Sequence, residues 1–236
     1  MENPNLSQSS KSMNHIYRTI TILGIVAVLG GIPPSVYAQT APTLIVQKSA
    51  IDFYNRGIER YAKKDYAGAL EDFSEAIRLN SDYAEAYYNR GILRRRRGEN
   101  KGAVEDYTQA IRLNPNDVDA YNNRGTARDD LGQHEEAIAD YNQVLKLNPN
   151  YYKAYYNRGI AYGRLNKHKE AIDDYTEAVR LNPQYADAYY NRANSYVQIG
   201  NKQAAIADFQ KAADIYQQQG KTDDYQDAIE RINKLK

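Results

Sequence analysis

The chain contains no cysteine, which excludes disulfide bridges and thiolate metal sites alike. Tryptophan is absent and phenylalanine occurs 3 times, whereas tyrosine occurs 23 times. Any aromatic packing must therefore run on tyrosine. Neither sign of charge is in surplus, with 31 Lys and Arg against 30 Asp and Glu. Outside residues 1–38 the two are equal, 29 to 29. Sequence-independent binding of nucleic acid needs surplus positive charge, so that partner class is not expected. Histidine is scarce: His15, His134 and His168. There is no glycine-rich phosphate loop, no Ser/His/Asp arrangement, and no carboxylate pair suited to acid–base work. These gaps together predict no enzyme, no cofactor and no metal.

One apolar run is present. Ile20 to Ile32, ITILGIVAVLGGI, follows a polar stretch holding Lys11 and Arg18. A run of this length suits the core of a signal peptide and falls short of the roughly 20 residues of a spanning helix. Pro33 and Pro34 end it, and Val36 and Ala38 place small residues at −3 and −1 of a cut before Gln39. Residues 1–38 read as a Sec-type signal peptide. The alternative is an uncleaved signal anchor, held in the membrane by residues 20–32. Either places the folded part outside the cytoplasm, with residues 39–49 as a linker.

From Ala50 the chain repeats every 34 residues: units span 50–83, 84–117, 118–151, 152–185 and 186–219. A fixed period of this size signals stacked supersecondary units. Numbered within each unit, position 4 is Phe53, Tyr87, Tyr121, Tyr155 and Tyr189. Position 8 is Gly57, Gly91, Gly125, Gly159 and then Ala193. Position 20 is alanine throughout, and position 24 is Phe73, Tyr107, Tyr141, Tyr175 and Phe209. Those spacings put one face of each of two helices toward the other, with small residues where the backbones approach and rings beside them. Most tyrosines are thereby assigned to packing. Asn-Pro at positions 31–32 (Asn114–Pro115, Asn148–Pro149, Asn182–Pro183) closes the second helix.

This pattern of aromatic-4, Gly-8, Ala-20, aromatic-24, Ala-27 and Pro-32 resembles the tetratricopeptide repeat (TPR) family over residues 50–219. The resemblance implies an all-α, right-handed solenoid of five helix-turn-helix hairpins. The stripe Tyr225, Ala228, Ile229, Ile232 and Leu235 predicts a capping helix within residues 220–236. The chain departs from the family in having arginine at position 7 of every unit and at position 11 of the first three (Arg60, Arg94, Arg128).

Position 23 is aspartate in every unit. In a hairpin turning near position 15, residues 7 and 23 face one another. Five structural ion pairs are expected: Arg56–Asp72, Arg90–Asp106, Arg124–Asp140, Arg158–Asp174 and Arg192–Asp208. The run RRRR, Arg94 to Arg97, falls at positions 11–14, and the next unit has Asp129 and Asp130 at positions 12 and 13. Neighbouring helices lie about 8–10 Å apart, so Arg95 and Arg96 are expected to be neutralised by that acidic pair. The alternative is a basic spot for an acidic partner. His134 and His168 share position 17, a packing position at a helix start.

In the family the first helices line a concave wall. The resemblance thus implies a partner-binding groove with Asn55, Asn89, Asn123, Asn157 and Asn191 at position 6. Beside them at position 5 stand Tyr54, Tyr88, Asn122, Tyr156 and Tyr190, joined by Arg95, Arg96, Lys153 and Arg164. An asparagine column suits an extended peptide backbone, although asparagine there also serves to bond neighbouring helices. The expected function is that of a non-catalytic adaptor or assembly factor binding another protein or peptide. A self-associating scaffold and an accessory subunit of a cell-envelope or photosynthetic-membrane complex remain as alternatives. The YNRG-with-NP style resembles repeat proteins of photosynthetic bacteria, which implies a periplasmic or thylakoid-lumen location.

Overall fold

The computed structural model describes residues 49–236. The apolar run, the cleavage motif and the linker up to residue 48 lie outside the described residues. Eleven α-helices and no strand occur among those described. They are α1 (Ala50–Ala62), α2 (Tyr66–Leu79), α3 (Ala84–Arg96), α4 (Asn100–Leu113), α5 (Val118–Asp130) and α6 (His134–Leu147). They continue with α7 (Tyr152–Arg164), α8 (His168–Leu181), α9 (Ala186–Gln198), α10 (Lys202–Gln218) and α11 (Thr222–Leu235). Consecutive helices pack in antiparallel pairs, and each pair packs on the next, as in a TPR solenoid.

The punctuation is local. Ser49 caps α1 in a reciprocal box with Asp52, and the carboxylates of Asp65 and Asp117 accept from Gly68 N and Ala120 N. Each hairpin turns through a residue in the left-handed region at position 15: Lys64, Gly98, Gly132, Asn166 and Gly200. Its N–H, and the N–H after it, return to carbonyls of the first helix, as in Gly98 N to Arg95 O and Glu99 N to Arg94 O, both 2.9 Å. The second helices of units one to four end on Asn80, Asn114, Asn148 and Asn182. Each of these side-chain carbonyls accepts from the backbone N–H two residues on.

The core is a row of small residues and rings. Ala69, Ala103, Ala137, Ala171 and Ala205 are fully buried, beside Phe73, Tyr107, Tyr141, Tyr175 and Phe209. The glycine at position 8 is there because a ring occupies the place of its side chain. A Cβ on Gly91 would lie 2.8 Å from Tyr107 Cε1. Unit five has Ala193 at this position, buried against Phe209.

Helix α11 stands where a sixth unit would begin. Ala228 and Ile232 are buried, and Ile232 joins Ala193, Ala205 and Phe209 in one cluster flanked by Ile229 and Leu235. Tyr225 packs at the other end of the helix, against Ala186, Ala212, Ile215 and Tyr216. First helices of neighbouring units also touch directly, α3 with α5, α5 with α7 and α7 with α9, so these helices form the inner wall of the stack.

Gly91→Ala is expected to lower stability by about 1–2 kcal/mol, since relief of ring overlap outweighs the helix propensity gained. Thermal unfolding followed by circular dichroism would show a lower midpoint. An unchanged or raised midpoint would mean that the Tyr107 ring shifts without cost.

Candidate functional site

Two sets of side chains tie the units together, one on the outer side of the first helices and one on the inner wall. The outer set is built on position 7. In all five units the guanidinium meets the aspartate of position 23 through two parallel hydrogen bonds. Nε donates to Oδ2 at 2.6–3.0 Å in every pair. Nη2 donates to Oδ1 at 2.6–2.8 Å in units two to five, and the same bond joins Arg56 and Asp72. All five aspartates are buried. Position 4 sets its ring 4.9–5.6 Å from the guanidinium carbon, so the charge is flanked by a π-face.

The remaining nitrogen of this arginine reaches the preceding unit. Nη1 of Arg90, Arg124, Arg158 and Arg192 donates to Ser74, Thr108, Asn142 and Thr176, all at position 25. This link between units was missed from the sequence, because position 25 varies in residue type and only its acceptor oxygen recurs. In the first three units the arginine at position 11 adds a second cation to the aspartate. Arg60, Arg94 and Arg128 stand 3.2, 3.0 and 2.8 Å from Asp72, Asp106 and Asp140. Units four and five carry Tyr162 and Tyr196 there, leaving Asp174 and Asp208 one arginine each. Burial raises the Asp174 carboxyl above its usual range, and the bond from Arg158 offsets this only in part.

The inner set links position 5 of one unit to position 6 of the next, 35 residues on. Asn89 and Asn123 donate from Nδ2 to the hydroxyls of Tyr54 and Tyr88 at 3.2 and 3.0 Å. Asn157 donates to Asn122 Oδ1 at 3.1 Å, and Asn191 to the Tyr156 hydroxyl at 3.0 Å. At the far end the Tyr190 hydroxyl donates to Asp227 of α11, which takes the place of the next unit. Burial, followed by the nearby carboxylates, raises the phenols of Tyr54, Tyr88 and Tyr156, the last to about 12. They stay neutral hydroxyls at physiological pH.

The same 35-residue offset sorts the arginine run. Arg95 Nη1 lies 3.6 Å from Asp130 Oδ2. The expected neutralisation of Arg96 by the acidic pair Asp129 and Asp130 does not occur. Arg96 instead lies over the Tyr66 ring of the preceding unit, its Cζ 4.2 Å from the centroid. Asp129 is buried and held from elsewhere, by His134 Nδ1 at 2.6 Å and by Arg164 Nη1 at 2.5 Å. The offset is the physical reason: position 12 meets position 13 of the next unit, which selects Arg95 with Asp130 and Asp129 with Arg164. With Arg94 on Asp106 and Arg97 3.1 Å from Glu99, each arginine of the run has its own partner. Arg164, read as a groove cation, likewise already holds a carboxylate, while Lys153 is exposed. His134 is more than a packing residue, and an aspartate five residues before a helix-start histidine was the available signal.

The position-6 asparagines from Asn89 to Asn191 thus stand beside the position-5 side chains of the preceding units on the inner wall, and Asn55 is exposed. Arg56 belongs to the same first unit: its side chain is 35% exposed against 12–19% for the arginines of the other four pairs, which a preceding unit covers. Among the described residues no cluster of metal-ligating side chains is present, and no helix is long and apolar enough to cross a membrane.

Two tethering ladders on stacked 34-residue hairpins define a helical-repeat solenoid protein. The Tetratricopeptide repeat profile matches residues 118–151, 152–185 and 186–219, and a second profile, TPR repeat, matches 57–94 and 93–128. The chain belongs to the tetratricopeptide repeat family. Over 83 residues it is 30% identical to the Photosystem I assembly protein Ycf3 of Mesostigma viride. That match takes in 35% of this chain and 42% of the relative, so the chain spans less than half the length of the curated relative. Among solved structures it is similar to MamA from Desulfovibrio magneticus RS-1, with a TM-score of 0.69 and 22% identity over 73% of this chain and 98% of that one. It is also similar to YrrB, described as a TPR protein with an unusual peptide-binding site. There the TM-score is 0.63 and the identity 26%, over 71% of this chain and 86% of the other.

Asp106→Asn is expected to cost about 2–4 kcal/mol, because it leaves Arg90 and Arg94 facing a neutral amide in a buried setting. Asp174→Asn should cost less, about 1 kcal/mol. Its folded pKa is raised, so the fold favours the uncharged form; the stability from protonating Asp174 is present at low pH and is lost as pH rises through that raised value. Urea titrations of both variants at neutral pH would show the order, and equal losses would mean that the second arginine contributes nothing.

Proposed function

We propose that this protein is a non-catalytic adaptor or assembly factor that holds a segment of another protein along the inner wall of its solenoid. One observation carries the proposal. Each of Asn89, Asn123, Asn157 and Asn191 spends an amide N–H on the unit before it, and none of their Oδ1 atoms has a partner among the described residues. The ladder therefore orients four carboxamides at the repeat spacing and leaves four acceptors for an extended backbone. Fixing them in advance lowers the entropy lost on binding. Tyr54, Tyr88, Tyr156 and Tyr190 add flat apolar surface, a residue type enriched where binding energy concentrates.

Two relatives lend support. YrrB is described by a peptide-binding site, and the Mesostigma viride relative is an assembly protein. Residues 1–38, read as a signal peptide or signal anchor, support an exported location for this activity, in a periplasm or thylakoid lumen. A scaffold of units stacked head to tail is the less favoured reading. Helix α11 covers the C-terminal face, and Asp227 already fills the rung that a following unit would supply.

Affinity capture from a native envelope extract, with the full-length chain as bait, tests the proposal. A partner held by the wild-type chain and by Tyr88→Phe/Tyr156→Phe, but lost from a folded Asn89→Ala/Asn123→Ala/Asn157→Ala variant, is the expected result. Retention by the asparagine variant would make the column a purely structural device and sink the groove assignment.

A further inference from the structure

We infer that the cleft between the fourth and fifth units is a carboxylate-binding site, in which the segment held in the groove places an acidic side chain or a chain terminus. This rests on the groove reading above and adds the chemistry of one position within it. Its basis is a comparison of the chain with itself. Units three and four both have histidine at position 17, His134 and His168. In unit three the neighbour at position 12 is Asp129, whose buried carboxylate binds His134 Nδ1 and Arg164 Nη1. In unit four position 12 is Gly163. A Cβ built there would meet nothing within 4 Å, so the room for a side chain is kept and the side chain is gone.

His168 carries the consequence. Its Nδ1 is buried and has no hydrogen-bond partner, whereas the same atom of His134 sits 2.6 Å from a carboxylate oxygen. A buried ring nitrogen without a partner forfeits a hydrogen bond that the fold elsewhere supplies. The vacancy opens into a cleft of about 480 Å³. Where Arg164 at position 13 reaches back to Asp129, the next unit presents Gln198 in the same register, and it lines the cleft with Asn194 and the half-exposed Arg164. Among the described residues that line it there is no carboxylate. Imidazole, two carboxamides and a guanidinium all offer N–H groups, the complement of an anion with two acceptor oxygens. An incoming carboxylate would occupy the place that Asp129 fills one unit earlier. Nδ1 is screened from water in this structure, so binding requires the imidazole to turn about its Cβ–Cγ bond before it meets the anion. The site centres on positions 12, 13 and 17, and Asn191 at position 6 of unit five also lines the cleft, which joins it to the asparagine column.

The test follows the histidine resonances of full-length protein labelled at histidine Cε1, at fixed pH and ionic strength. Three probes are titrated into the millimolar range: Ac-Gly-Glu-Gly-NH2, Ac-Gly-Gly-Ala with a free C-terminus, and the neutral Ac-Gly-Gln-Gly-NH2. The expected result is saturable movement of the His168 signal with one or both acids, no movement with the glutamine peptide, and a still His134 signal. Which acid acts tells a side chain from a terminus. Gly163→Asp supplies the carboxylate from within; it should bring the free His168 signal toward that of His134 and weaken the response to the acids at least about tenfold. Gly163→Ala, which fills space without charge, should keep the response. Stillness of His168 with both acids, equal movement with the glutamine peptide, or an undiminished response in Gly163→Asp would each overturn the site. If a groove partner is captured equally by wild type and Gly163→Asp, the carboxylate site is wrong and the groove assignment stands.

Discussion

The bidentate arginine–aspartate pair at positions 7 and 23 is the constraint on which the stack depends. A single guanidinium has five N–H donors in a fixed plane, and here two sides of that plane are used for different purposes. Nε and Nη2 close the hairpin on a buried carboxylate, while Nη1 crosses to position 25 of the unit before. A lysine would supply the charge but not the plane, so it would close the hairpin without setting the angle to its neighbour. Buried ion pairs add little net stability against well-packed apolar alternatives. What this one contributes is register, repeated at every junction, and register is what a solenoid needs to present a continuous surface.

Given that register, a residue at position k of a first helix meets position k+1 of the next first helix. One offset accounts for the Tyr–Asn rungs, for Arg95 with Asp130 and for Arg164 with Asp129. Most polar side chains of the inner wall are spent in this way on holding the units together. What remains for a partner is whatever the ladders leave unmatched: the carbonyl half of each asparagine, the open end at Asn55 and Arg56, and the vacancy at Gly163 beside His168. Function in such a molecule is thus written in the departures from the repeat, while the repeat itself maintains the frame.

The family framework was legible because its residues act locally. Glycine at position 8, alanine at 20 and an aromatic at 24 are required by two backbones approaching within one hairpin, so their spacing shows in a single unit. The ion pairs at 7 and 23 were legible for the same reason, as was the capping stripe of α11. The arginine run was read only in part. Two arginines and two aspartates at neighbouring positions allow more than one pairing, and nothing in their order chooses between them. Stacking geometry does choose: it gives Asp130 to Arg95, sends Arg96 to the Tyr66 ring and leaves Asp129 for the following unit.

By itself, then, the sequence determined that this is a tetratricopeptide repeat protein, where each helix turns, which face each buries and which charges close each hairpin. Those follow from a period of 34 and from contacts made within one period. Only the tertiary structure decided how one unit meets the next: the rung from asparagine to tyrosine, the tether to position 25, and the contrast between His134 bonded to Asp129 and His168 without a partner beside Gly163. Such contacts depend on the rotation and translation between units. That relation is set by all the interface side chains acting together, and no single stretch of the chain encodes it.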